Sequence, residues 1–196
     1  MAALLLFAAL FHGEIASLLS IQRLPEARLY TMDYKADYGL DEFLQSGAGS
    51  DAELVGFITK RLLKGIPMTF DLPDLGCSTF AANLQDGTPI FARNFDMYDS
   101  PAMLVTTRPQ NGYASISMVN LAYIGYDADH LPDQLADSIL ALAAPYAPLD
   151  GVNEKGLAVG VLLIPTEPTN QQTGKVPITT TSAIRMLLDR AATVDE

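Results

Sequence analysis

The spacing of hydrophobic and polar positions changes character several times along the chain. Residues 1–11 are an unbroken apolar run, Met-Ala-Ala-Leu-Leu-Leu-Phe-Ala-Ala-Leu-Phe, continued by Ile15, Leu18, Leu19 and Ile21. The run is too short to cross a bilayer unaided. It has the length of a signal-peptide core, but no lysine or arginine precedes it and no small-residue cleavage site is clear. It reads as a membrane or export segment, the preferred reading, or as an amphipathic helix packed on the domain. Ala27 to Tyr34 alternates as a strand, and residues 39–44 read as a short helix. Ser50 opens a longer helix. Ser50 and Glu53 form a capping box, Leu54, Phe57, Ile58 and Leu62 follow at helical spacing, and Gly65 with Pro67 ends the segment.

From Cys77 onward the pattern becomes strands, near 77–84, 88–95, 102–108 and 113–120. A helix is expected near 131–143 with Asp133 in its first turn. A second hairpin starts around Leu149-Asp-Gly-Val-Asn153 and runs into the apolar stretch Leu157 to Ile164. A last helix begins at Thr181 or Ser182, with Ile184, Leu187, Leu188 and Ala191 on one face. The inventory is that of an α+β protein. Strands at 102–120 and 157–164 are apolar on both faces in places, which predicts cover from further sheet and helix beyond residue 196. The expected division is an apolar signal- or anchor-like segment (1–24), a partly helical pro-segment (25–76) and the N-terminal part of a larger domain (77–196).

Asp86-Gly87 is a strong turn pair, because both residues tolerate positive φ. With those two residues as the loop, Gln85 pairs with Thr88, and Cys77 faces Asp96. That hairpin gathers a thiol, a carboxylate and Arg93 at its open end. Composition narrows what they do. With 49% hydrophobic and 18% charged residues the chain is globular. A net charge of −11 and the lack of any basic run argue against a nucleic-acid partner. One cysteine and two histidines supply neither a disulfide framework nor a metal-ligand cluster.

A lone cysteine is more often a small buried hydrophobe than a nucleophile. Here Gly76 leaves the backbone before it accessible, and Ser78 and Thr79 make its surroundings polar. A thiolate nucleophile needs a base. His130 sits in an Asp-rich loop and His12 in the apolar segment, and neither suits the role. An α-amine on Cys77 itself would, since such a group titrates at about 7.7–8.0. It requires cleavage of the Gly76–Cys77 bond, which the thiol can perform on the preceding carbonyl. Arg93 would lower the thiol's pKa and Asp96 would orient the amine. Three residues apart on a regular strand, Arg93 and Asp96 point to opposite faces, so a bend or bulge near Asn94-Phe95 is expected.

At these residues the chain resembles the choloylglycine hydrolase and penicillin V acylase family of N-terminal-nucleophile hydrolases. It is nearest to the linear-amide hydrolase branch, with acid ceramidase and N-acylethanolamine amidase as more distant relatives. Cys77 matches the family nucleophile. Ala92-Arg-Asn-Phe-Asp96 matches the family's Gly-Arg-Asn-x-Asp, and Val152-Asn-Glu-Lys-Gly-Leu157 matches its later Asn-Glu-x-Gly-Leu. The resemblance implies a four-layer αββα sandwich, an autocatalytically exposed cysteine, and hydrolysis of a non-peptide amide through an acyl-enzyme without a cofactor. Its implied substrates are small acyl amides: conjugated bile acids, phenoxyacyl amides, N-acyl homoserine lactones or fatty-acyl amides. Two departures stand out. Leu163 occupies the place of an oxyanion-hole asparagine of bile-salt hydrolases, and the family's later catalytic asparagine and arginine fall beyond residue 196. Residues 1–196 alone would then be inactive. Asn153 reads as a turn residue, with an oxyanion role as its alternative. Tyr98, Met103, Tyr113, Met118 and Tyr123 are candidates to line an acyl pocket, with core packing as their ordinary reading. Competing functions are an export-anchored or truncated binding module of the same fold, and an acyltransferase using the same acyl-enzyme. The apolar start favours an exported or membrane-anchored protein over a cytoplasmic one.

Overall fold

The computed structural model describes residues 9–25, 28–70, 76–96, 100–162 and 173–196. Its elements in chain order are α1 (His12–Leu19), β1 (Gln22–Arg23), β2 (Leu29–Tyr34), α2 (Leu40–Ser46), α3 (Asp51–Arg61), β3 (Gly76–Asn83), β4 (Pro89–Asp96), β5 (Ala102–Thr107), β6 (Ser115–Asn120), β7 (Pro148–Asn153), β8 (Ala158–Gly160) and α4 (Thr180–Arg190). Two 3₁₀ segments, Leu121–Ile124 and Ile139–Tyr146, lie between β6 and β7. Six strands form one sheet in the order β1-β2-β5-β6-β7-β8, and β3 with β4 forms a separate hairpin. The α+β architecture read from the sequence is the one observed.

Alternation explains the layering. Met103, Val105 and Thr107 of β5 and Ser115, Ser117 and Val119 of β6 point to one face and are buried. Helix α4 packs on that face, where Gly151 of β7 lets the Leu188 side chain approach. The opposite face carries Leu104, Ile116, Met118, Asp150 and Val152, and the hairpin lies against it at Gly160, beside Phe91 and Arg93. The order of layers is helices, sheet, hairpin.

Residues before Cys77 are woven into this core. Strand β2 pairs in parallel with β5 over its whole length, Leu29 opposite Ala102 through Tyr34 opposite Thr107. Half of the buried residues in the main apolar cluster precede Cys77, among them Tyr30, Met32, Phe43, Leu54 and Ile58. Each such side chain stabilises by about 1.5–3 kcal/mol when fully buried. The boundary at residue 76 therefore does not separate two packed units.

Helix α3 starts as its sequence dictates, with one change. Ser50 Oγ accepts from the Glu53 amide at 3.3 Å, while the Glu53 carboxylate reaches back to the Gly49 amide at 2.8 Å, one residue further than a capping box requires. Helix α1 packs along β2, where Ser17 Oγ accepts from Lys35 N at 2.7 Å. Residues 1–8 lie outside the described residues, and among those described no helix is long and apolar enough to cross a membrane.

The helix expected at 131–143 is not formed. Residues 131–138 are turns, and the chain winds only from Ile139, as a 3₁₀ helix ending at Tyr146. Asp133 is drawn away as a side-chain acceptor, 2.7 Å from the Tyr30 hydroxyl and 3.4 Å from Arg23. The Ala-rich run is buried throughout from Ala141 to Tyr146, and the tighter radius suits a segment enclosed on all sides. Tyrosine hydroxyls tie it in place: Tyr126 accepts from Ala141 N, and Tyr34 donates to Leu142 O, each at 3.0 Å. In the second hairpin the turn is Asn153–Leu157 and β8 covers only Ala158–Gly160. Leu163 and Ile164 lie outside the described residues.

Candidate active site

The Asp86-Gly87 signal marks a hairpin, but its loop holds three residues rather than two. Gly87 N donates to Leu84 O at 2.9 Å, and Leu84 N donates to Thr88 O at 2.9 Å. Gly87 alone has positive φ, at +84°, while Asp86 does not. This is a type I turn closed by a left-handed glycine, and a type I′ turn would need positive φ at both residues. The Asp86 carboxylate fixes it by accepting from Thr88 N at 2.9 Å. Pairing therefore slips by one residue from the sequence expectation. Cys77 opposes Phe95, and Gly76 opposes Asp96.

A slip of one residue exchanges the faces of a strand. Cys77, Thr79, Arg93 and Phe95 now share one face of the hairpin, and Gly76 and Asp96 share the other. The pairing is regular from Gly76 to Asn83, so the expected bulge near Asn94 is absent. None is needed. Arg93 Nη2 lies 3.4 Å from Cys77 Sγ, donating toward it. Asp96 lies across Gly76, whose position an added Cβ would crowd at 3.1 Å from Asp96 Cβ and 3.2 Å from its Oδ2. Asn94 Nδ2 donates to the Asp96 carboxylate from the same face. The thiol thus has a cation on its own face, and the peptide bond before it has a carboxylate on the opposite face.

Arg93 is fixed in a narrow slot. Its side chain is 4% exposed and pairs with Asp150 Oδ2 at 2.8 Å. Nη2 also donates to Val161 O at 2.8 Å, and the guanidinium carbon sits 4.7 Å from the Phe95 ring centre. Its Nε is buried without a partner among the described residues. Tyr123, fully buried on the 3₁₀ segment after β6, lies within electrostatic reach of Cys77 and Arg93. Burial pushes its phenol well up, the Cys77 thiolate adds to the rise and Arg93 opposes it. Tyr123 is therefore a neutral hydroxyl at ordinary pH.

The other sequence candidates are placed elsewhere or serve packing. Asn153 is buried with both ends of its amide engaged: Nδ2 donates to Leu188 O and Ala191 O, and Oδ1 accepts from Lys155 N and Leu157 N. It locks the turn to the end of α4. Met103 is fully buried in the main core. Tyr113 carries Lys155 over its ring at 5.1 Å, and Met118 is half-buried on the hairpin side of the sheet. Tyr98 lies outside the described residues. His12 and His130 are exposed, and His130 borders its own Asp127 loop. Among the described residues no cluster of three or more metal-ligating side chains is found. Asp150 and the Val161 carbonyl are the site groups that sequence reading missed. The signal for Asp150 was a charge following the apolar pair Pro148-Leu149 on a strand.

The family model for linear amide C–N hydrolases, choloylglycine hydrolase family, matches residues 77–196. The chain belongs to this family. The match covers more than half of the chain and begins at Cys77 itself. Searches of curated proteins and of solved structures returned no match. The family acts on carbon–nitrogen bonds of linear amides, and the mixed helices and sheets described above are consistent with its N-terminal-nucleophile-type fold.

Proposed function

We propose that the chain is the precursor of a cysteine amidase whose nucleophile is Cys77, freed by cleavage of the Gly76–Cys77 bond. The observation that carries this reading is the division of the hairpin's two faces, with Arg93 Nη2 at 3.4 Å from the thiol on one and Asp96 against Gly76 on the other. The start of the family match at residue 77 agrees with it. In the first step Sγ attacks the Gly76 carbonyl carbon, the C–N bond breaks, and the nitrogen takes the thiol proton to become the α-amine. Water then hydrolyses the thioester, leaving a Gly76 carboxylate and a free thiol. The new amine emerges beside Asp96, which accepts its hydrogen bond and orients it.

In turnover the α-amine takes the thiol proton as Sγ attacks the amide carbonyl, and returns it to the departing amine. Water releases the acid by the same route in reverse. Tyr123, as a neutral O–H donor near the thiol, is suited to the developing oxyanion. The base works only when unprotonated, so the rate should fall as pH drops below the amine's value of about 7.7–8.0.

Intact mass measurement of the expressed protein tests this. Two fragments are expected, one ending at Gly76 and one beginning at Cys77, with Cys77→Ala giving a single uncut chain. Uncut wild type with full amidase activity would sink the mechanism. The substrate class is a linear N-acyl amide, and a release panel of bile-acid, phenoxyacetyl, homoserine-lactone and fatty-acyl amides on the whole gene product would identify the acyl group.

A further inference from the structure

Arg93 is bound on two sides before it meets the thiol. Nη1 spends its bond on Asp150 Oδ2 at 2.8 Å, and Nη2 divides its hydrogens between Val161 O at 2.8 Å and Cys77 Sγ at 3.4 Å. Asp150 stands on β7 directly opposite Gly160 of β8. A side chain at 160 would put its Cβ 3.3 Å from Arg93 Cδ and 3.2 Å from Phe91 Cζ, so the missing side chain is the slot through which the arginine passes. An arginine on its own keeps many rotamers, and planar two-point anchoring removes them. The same carboxylate also answers the charge. A guanidinium paired at 2.8 Å presents to a third group little of the field of an isolated cation.

We propose that Asp150 is a positioning residue for the amidase reaction: it aims the Nη2 edge of Arg93 at Cys77 and offsets the arginine's charge, so that the thiol receives a directed hydrogen bond rather than a bare cation. The inference rests on the proposed role of Cys77. It revises the part expected of Arg93, which becomes a fixed donor, and leaves activation of the thiol to the amine released by cleavage. Among the described residues, the charged or titratable groups around this centre are Arg93 on β4, Asp150 on β7 and Tyr123 after β6, with Asp96 on the far side of Gly76. Asp150 touches neither the thiol nor the bond that is cut.

A test follows from the single cysteine. Iodoacetamide labelling reports Cys77 alone, whether or not the chain has been cut, so failure of the cleavage scheme and failure of this inference are seen separately. In Asp150→Asn the charge is gone while one acceptor oxygen remains. The pH midpoint of labelling is expected to move down by about one unit or more, as for a thiol beside an uncompensated cation. In the cut whole gene product kcat for amide hydrolysis should drop by about 10–100-fold with little change in KM. Asp150→Glu, which keeps the charge and moves the carboxylate, should retain the wild-type midpoint while kcat falls. A role confined to holding the hairpin on the sheet would lower the unfolding midpoint of both variants and leave the labelling midpoint in place. That outcome overturns the inference, as does a midpoint that rises in the Asn variant. Should Asp150→Asn fail to fold, an unchanged kcat in Asp150→Glu overturns it instead.

Discussion

Two arginine–aspartate pairs divide the labour of this molecule, and they differ in what surrounds them. Arg185 and Asp189 lie one turn apart on α4 with side chains 0% and 1% exposed. Arg185 Nη2 also donates to Ser115 Oγ at 2.6 Å, Ser115 meets Thr107 at 2.9 Å, and the Tyr38 hydroxyl donates to Asp189 at 2.5 Å. That cluster joins Tyr38, which precedes Cys77, to β5, β6 and α4, and both of its charges are enclosed. Arg93 and Asp150 are 4% and 22% exposed, and one guanidinium edge is left for a thiol. The first pair closes a core, and the second leaves one guanidinium edge donating to a thiol. Enclosure makes the difference, since a desolvated pair adds little net stability yet is strongly destabilising to break.

The largest effect should come from breaking the enclosed pair. Asp189→Ala strands the Arg185 charge and should cost about 3–5 kcal/mol in a denaturant titration, without moving the pH midpoint of Cys77 labelling. Burial pushes the Asp189 carboxyl up, against the pull of Arg185 and the Tyr38 hydroxyl. The folded state therefore holds that proton more firmly than the unfolded chain. Its contribution favours folding at low pH and falls away as pH rises from the ordinary aspartate range through the raised value, and Asp189→Asn should remove that slope.

A smaller effect is expected at the site. Gly76→Ala brings a methyl group to 3.1 Å from Asp96 Cβ, and displacing the carboxylate should slow cleavage by about 10–100-fold in a mass-spectrometric time course. Cleavage at the wild-type rate would mean that Asp96 has no part in the first step. The smallest effect belongs to a pair with neither property. Arg61 bonds Asp37 and Glu42, which are 81% and 62% exposed, so Arg61→Met should change the unfolding free energy by about 1 kcal/mol or less.

The hairpin shows how far the sequence could be read. Asp-Gly announced a turn, and alternation announced two strands, so Cys77, Arg93 and Asp96 were placed at the open end of one hairpin, but with Cys77 opposite Asp96 instead of Phe95. The same dipeptide serves a two-residue type I′ loop and a three-residue loop ending in left-handed glycine, and that ambiguity of one residue decided which side chain faced the thiol. Local pattern does not separate the two, and in the observed register Phe91 and Arg93 pack against Gly160. The enclosed pair was less legible still. Ile184 and Leu188 marked one face of α4, but residue type alone gives no sign that the neighbouring Arg185 and Asp189 are enclosed, since charged residues are seldom buried without partners. Their partners, Tyr38 and Ser115, lie 151 and 70 residues away along the chain. The Asp133 segment failed for the same reason, its partner Tyr30 being 103 residues distant.

Under the proposed cleavage, the parallel pairing of β2 with β5 would shape the later life of the molecule. While residues 76 and 77 are joined, those strands find each other within one chain, at the entropic cost of closing a single loop. Were the bond cut as proposed, they would belong to separate polypeptides, and reforming the sheet would become a second-order reaction. The mature protein would then persist because it unfolds slowly, and its recovery from denaturation would depend on concentration. Under the proposed cleavage the precursor would assemble the fold from a single chain, and the cut protein could regain it only by association of two.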